Sequence, residues 1–188
     1  MGARQKKAAA TYEDLRAVPD DKVAEIVEGS LYVSPRPGPR HADASSGLIA
    51  ALRGPFDRAR GGPGGWRILV EPEVHFGADV LVPDVAGWRR ERLPSLPDDA
   101  YFSVAPDWVC EVVSPSTAAL DRTKKLAVYA REDVGHVWLV EPIARTIEVL
   151  RLNDGAWTAV GTCVGAGAAR LEPFDALELE LSLLWEVE

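Results

Sequence analysis

VLVPDVAGW occupies residues 80–88 and DWVCEVVSPSTAALDRTKKLAVYARE residues 107–132. The two stretches decide the fold, because each sets one acid inside an apolar run and the second changes its period midway. VLVPDVAGW and DWVCEVV read as β-strands from their Val and Trp content. STAALDRTKKLAVYARE reads as a helix capped by Ser116 or Thr117. In DWVCEVV the two-residue period puts Val109, Glu111 and Val113 on one face, so Glu111 interrupts an otherwise apolar surface. Asp84 follows Pro83 in the neighbouring run. A buried, unpaired carboxylate costs several kcal/mol or is neutralised by a pKa shift, and a basic side chain or a hard divalent cation resolves that cost. Two such acids on adjoining strands form a site for Mg²⁺, which takes oxygen ligands and keeps several waters. Each residue also has an ordinary explanation. Pro-Asp is common at strand ends, a strand Glu often pairs with Arg, and Asp121 and Lys125 stand four apart on one helix face that Tyr129 continues. The order of the features lifts the joint reading: an acid after Pro, an acid on the next strand, then a helix carrying Lys after a Ser-Pro turn.

Working outward, Thr11 with Asp14 marks a helix start for TYEDLRAV, ended by Pro19 and Asp20. VAEIVEG and LYV form a hairpin about a Gly29-Ser30 turn, with Glu25 and Glu28 on opposite faces. ADASSGLIAALRGPFDRAR carries Leu48, Ile49, Leu52 and Phe56 at helical spacing, with Pro55 bending or dividing the helix. WRILVEPEVHF reads as a strand on which Glu71, Glu73 and His75 share a solvated face, Glu73 being a candidate for lining a cleft. HVWLVEP, RTIEVLRL and AWTAV are later strands with turns at Pro142 and at Asn153-Asp154-Gly155, and LELELSLLWEVE is an edge strand or a short helix. This order predicts a mixed β-sheet flanked by helices in an α/β (α+β) domain spanning residues 11–188, preceded by a disordered basic arm at 1–10. The six tryptophans are read as core and interface groups.

Composition narrows the functional classes. A length of 188 residues suits one domain, and 47% hydrophobic with 27% charged residues is ordinary globular usage. No run reaches the length of a membrane span and the opening MGARQKKAAA lacks a secretory segment, so the expectation is a cytoplasmic protein without membrane contact. Cys110 and Cys163 have no CxxC spacing and the three histidines are scattered, which disfavours zinc and makes both cysteines buried thiols. His41, after Arg40 at a helix start, is read as a surface histidine outside the core of the site. The net charge of −8 argues against a protein that coats nucleic acid, but the tail from Leu171 to Glu188 holds six of the acids and no base. Between Arg36 and Arg67 six arginines face two aspartates, a local balance of +4.

AEIVEGSLYVSPRPGPRH, VPDVAGW, EVVSPST and DRTKKLAVYAREDVGHVWLVEP together resemble the Uma-type restriction-endonuclease family, a branch of the PD-(D/E)XK nucleases, over most of the chain. The resemblance implies a restriction-endonuclease-like sheet and a metal-dependent endonuclease that hydrolyses phosphodiester bonds, with DNA as substrate and a homodimer as its assembly. It makes Asp84 the PD acid, Glu111 the acid of the (D/E)XK element and Glu25 the acid of the early hairpin. Asp84, Glu111 and the Val112 carbonyl would hold Mg²⁺, for which Mn²⁺ can substitute. Val113 stands where the superfamily pattern has lysine, and helical Lys125, with Lys124 as its rival, would supply the amine. Glu25 would hold a second metal, orient Lys125, or pair with an arginine. Two other readings stay open: a catalytically inactive nucleic-acid-associated or oligomeric protein of the same fold, and a small-molecule phosphoester hydrolase with a closed pocket.

Overall fold

Two prolines decide how the sheet divides. Pro72 and Pro83 interrupt two neighbouring, hydrogen-bonded segments at the same level, because neither can donate to a ladder. In the computed structural model, which describes residues 8–185, WRILVEPEVHF therefore breaks into β3 (Trp66–Val70) and β4 (Val74–Phe76). VLVPDVAGW breaks likewise into β5 (Asp79–Leu81) and β6 (Val85–Arg89). Val70 pairs with Val85 on one side of the break and Val74 with Leu81 on the other. The two halves join different sheets, which corrects the reading of each run as one continuous strand.

The smaller sheet is antiparallel, ordered β2-β1-β5-β4, with β1 (Lys22–Val27) and β2 (Ser30–Pro35) forming the early hairpin. Its turn is Glu28-Gly29 rather than Gly29-Ser30: both residues take positive φ, 52° and 71°, the geometry of a two-residue turn that matches strand twist. The larger sheet runs β10-β9-β8-β7-β6-β3, adding β7 (Trp108–Val112), β8 (His136–Glu141), β9 (Thr146–Asn153) and β10 (Ala156–Val164). Among the described residues of this sheet only β7 and β8 pair in parallel, and such a pair needs a crossover. The crossover here is a helix in three parts: α3 (Ala118–Leu120), a π-helical turn Asp121–Lys125, and α4 (Leu126–Arg131).

Alternation along the large sheet feeds two cores. One face sends Trp66, Ile68, Trp108, Cys110, Trp138 and Val140 against Leu48, Leu52 and Phe174. The other sends Ala86, Trp88, Val109, Val137 and Leu139 against Val128, Tyr129 and the small sheet's Val27 and Leu81. The first layer is α2 (Pro39–Leu52) with the C-terminal segment. At Gly54-Pro55 the helix does not divide; it runs on as a π-helical turn, Arg53–Asp57, that accommodates the missing N–H. At the N-terminus Thr11 caps α1 (Tyr12–Arg16) in a capping box with Asp14. The arm expected at 1–10 falls outside the described residues except for 8–10, where the Ala10 N–H donates to the Gly29 carbonyl at 2.9 Å.

One further expectation changes, and one that left two alternatives resolves. Glu71 sits at the break with φ 44°, while Glu73 accepts the Tyr12 hydroxyl at 2.8 Å and contacts His75 at 2.7 Å, so only His75 lies in a strand and its side with Glu73 is half-buried rather than solvated. Of the two readings of LELELSLLWEVE, its described part, to Trp185, takes the short helix and adds no edge strand to the main sheet. β12 (Leu179–Glu180) pairs only with β11 (Ala168–Ala169), and a 3-10 turn, Leu181–Leu184, then packs on α2.

That last contact is close. A Cβ at Gly47 of α2 would lie 1.9 Å from the Leu183 carbonyl oxygen, whereas one at Gly54 would meet nothing within 4 Å. Glycine to alanine in a helix is ordinarily worth up to about 1 kcal/mol. Gly47→Ala nonetheless destabilises, by about 1–3 kcal/mol as an overpacked site does, and Gly54→Ala does not; urea midpoints for both variants check the contrast.

Candidate functional site

The proline break leaves a gap between the two sheets where β1, the start of β6, β7, α2 and the crossover helix converge. Asp84 sits in it just before β6. Its Oδ2 accepts the Val112 N–H at 2.7 Å and its Oδ1 lies 3.1 Å from His41 Nε2. Its own carbonyl accepts the Glu71 N–H at 3.0 Å, which fastens the kink. Glu111 projects from the middle of β7 toward the crossover helix, between Val109 and Val113. Its Oε1 lies 2.8 Å from Lys125 Nζ and accepts the Tyr129 hydroxyl. Lys125 Nζ also lies 3.0 Å from Glu25 Oε1 and 3.5 Å from Asp121 Oδ1. Glu25 Oε1 accepts the Val82 N–H at 2.9 Å, an amide that the kink leaves outside the ladder. These side chains line a cavity of about 160 Å³, with Ser114 and Thr117 along its rim.

Glu25, Asp84, Glu111 and Lys125, singled out in sequence, thus come together at one cavity, beside the main chain of Val112. Lys124 does not join them. One residue step turns the helix by about 100°, so its Nζ lies 3.3 Å from the exposed Glu28 and 5.6 Å from the Tyr32 ring centroid. Three residues of the cluster were missed or misread. His41 is no surface histidine: its side chain and that of Asp84 are each 16% exposed at the cavity. Tyr129 was seen only as a continuation of a helix face, and Asp121 only as a helix pair. An i, i+4, i+8 row of Asp121, Lys125 and Tyr129 was the available signal for both. No spacing rule connects His41 to Asp84. Glu73 lies in the adjoining groove, which shares Asp84 and Arg36 with the cavity.

The electrostatics follow from burial. The Lys125 and Glu111 side chains are each 3% exposed. Burial pushes the Glu111 carboxyl well above the usual carboxylate range; Lys125 opposes the shift, while Asp121, Asp84 and Glu25 add to it. Asp121 is raised for the same first reason. Burial alone would lower the Lys125 amine, but Glu111 and Glu25, then Tyr129 and Asp121, outweigh it and hold it charged. For His41, burial lowers the pKa, but the bonded Asp84 carboxylate outweighs it and the net shift is upward. Four acids share one ammonium and one imidazole, so the cluster is short of positive charge, a deficit that a proton or a cation can fill. Among the described residues, no three His, Cys, Asp or Glu side chains form a preformed metal-ligand group.

Removing the ammonium exposes this balance. Lys125→Met leaves three buried acids without their cation, and stability at pH 7 falls by about 3–5 kcal/mol. Because the folded-state pKa values of Glu111 and Asp121 are raised, protonation favours the fold. The deficit against wild type is therefore widest at alkaline pH and closes as pH falls through those values toward the ordinary carboxylate range. Urea denaturation of both proteins across that range checks the sign.

Comparison with known proteins places this architecture. The family model named Uma2 and described as "Putative restriction endonuclease" matches residues 9–186. No curated protein matches the chain. Among solved structures the chain is similar to a crystal structure described as "a putative nuclease belonging to DUF820", from Anabaena variabilis ATCC 29413. The TM-score is 0.73 over 93% of this chain and 97% of that one, at 22% identity, a likeness of fold. No helix of the described residues is long and apolar enough to cross a membrane. With the family match running through both sheets, the crossover helix and the acid cavity, the chain belongs to the Uma2 family of restriction-endonuclease-like proteins.

Proposed function

We propose that this protein is a metal-dependent endonuclease that hydrolyses phosphodiester bonds in DNA, with Asp84, Glu111 and Lys125 as its catalytic core. The observation that carries the reading is the Lys125 ammonium held 2.8 Å from Glu111 in the cavity that Asp84 also lines. The donor chemistry fits Mg²⁺, which is commonly bound by one or two carboxylates with waters and substrate phosphate rather than by an all-protein cage. Asp84, Glu111 and the Val112 carbonyl would hold it, and Mn²⁺ could substitute. When bound, the ion supplies a lowered pKa for water and neutralises charge growing on the phosphate.

The side chains do the rest. Val112 N–H and His41 fix the Asp84 carboxylate from two directions, so its orientation does not depend on substrate. Tyr129 and Lys125 fix Glu111 in the same way. Lys125 brings a charged donor to the place where the phosphate oxygens gain charge, and Glu25 and Asp121 hold that donor in position. Lys125 fills on the helix the place that Val113 leaves empty on the strand. One observation favours a second reading, an inactive member of the fold: three carboxylates already engage the amine, as in a structural ion cluster.

Plasmid nicking separates the two. With Mg²⁺ or Mn²⁺ wild type converts supercoiled plasmid to nicked circles, EDTA abolishes the activity, and Asp84→Asn lowers it about 10²–10³-fold. Equal activity in wild type and variant rules the site out. A pH dependence follows from the raised Glu111 pKa, since a cation must displace the proton that burial favours there. Half-saturating Mg²⁺ is accordingly higher at pH 6 than at pH 8; a requirement independent of pH contradicts this.

A further inference from the structure

Four of the six arginines noted in sequence, Arg53, Arg58, Arg60 and Arg67, gather at the end of α2 remote from the cavity, where Arg89, Arg90 and Arg92 join them; Arg36 and Arg40 stay at the cavity end. Arg53, Arg58 and Arg90 surround the buried Asp57 carboxylate at 3.6, 3.8 and 2.6 Å. Arg60 follows on the same loop, its N–H bonded to the Gly54 carbonyl. Arg89 stacks 4.0 Å over the Trp66 ring, and Arg67 donates to the Leu93 and Pro94 carbonyls. Arg92 pairs with Asp107 at 2.7 Å. Seven arginines thus gather in this region, four of them paired with Asp57 or Asp107, on a chain whose formal net charge is −8. Asp57 is buried and already shared by three of them, so it cannot cancel the surplus. The arginine side chains paired with Asp57 and Asp107 remain 40–55% exposed. The loop they flank, residues 61–65, is glycine but for Pro63 and lets a polymer backbone approach closely.

We propose that this patch is a second nucleic-acid contact, which grips the phosphate backbone of the substrate at a distance from the cleaved bond and without regard to sequence. The inference rests on the nuclease reading for its ligand. Arg53 lies twelve residues along α2 from His41, about 18 Å at the helical rise. That separation corresponds to about five nucleotide steps of a strand at 3.4 Å each. The exposed face of α2 between them carries Ala42, Asp43, Ser46 and Ala50, small side chains with a single acid, so a strand can lie along it. The arrangement resolves the conflict between an acidic protein and a polyanionic substrate. Attraction is confined to one patch, and the acid-rich cavity receives only the phosphate that the patch has delivered. Guanidinium groups suit this work because their fork matches phosphate oxygens.

The test is fluorescence anisotropy of labelled 30-base-pair DNA and RNA duplexes with the whole protein in EDTA, where nothing is cut, over a range of salt concentrations. Arg58→Gln/Arg60→Gln/Arg92→Gln weakens DNA binding at least about 10-fold and lowers the slope of log affinity against log salt by about one per arginine. The same three positions changed to Lys retain most of the binding, which separates charge from fold. Undiminished binding and slope in the Gln variant overturn the proposal, as does a wild type that binds neither duplex. A wild type that cuts plasmid alongside an unaffected Gln variant removes the patch and leaves the nuclease reading. Patch-dependent binding with no cutting does the reverse.

Discussion

One ammonium group among buried carboxylates organises this molecule. Lys125 reaches Glu25 on the hairpin, Glu111 on the central strand and Asp121 on its own helix, so a single side chain ties three elements at one point. Such a cluster is an expensive way to hold a fold, since desolvation consumes much of the attraction between the charges and an apolar replacement is often as stable. Its cost makes sense where the charges are needed for chemistry. The acids outnumber the cations, and burial prevents solvent from relieving the imbalance.

The backbone supplies the space for that cluster by breaking its own ladder. Pro72 and Pro83 end pairing at the same level on two adjacent segments, and the chain passes there from the large sheet to the small one. The amides and carbonyls released at the gap are used again at once: Val82 N–H on Glu25, Glu71 N–H on the Asp84 carbonyl. A π-helical turn at Asp121–Lys125 does similar work on the crossover helix, inserting a local irregularity where the acid and the amine must face one cavity.

Much of this was legible in the sequence, and the limits have physical reasons. Glu111 betrayed itself by interrupting a valine face, which local periodicity fixes; Lys125 was named through the family resemblance, with Lys124 as its rival, and helical spacing alone offered only its pairing with Asp121. Hairpin, crossover helix and late strands followed from turn residues and from the change of period. Asp84 was found as an acid in an apolar run, but the kink beside it was not, since a proline in a strand reads the same whether it marks an end or a switch between sheets. The partnership of His41 with Asp84 joins positions 43 apart across two layers, and no short-range pattern encodes it. The Gly29-Ser30 turn failed for a smaller reason: Glu28 takes a left-handed conformation that side-chain identity alone does not announce.

In the proposed site Asp84, just before β6, and Glu111 of β7 would present their carboxylates to one cation beside a helical amine. Anomalous diffraction from crystals soaked in Mn²⁺ tests this most directly. It should show a peak in contact with both Asp84 and Glu111, beside the Val112 carbonyl and in the cavity that Lys125 lines. A cavity without a peak at saturating Mn²⁺, or a peak bound by other residues alone, would contradict it.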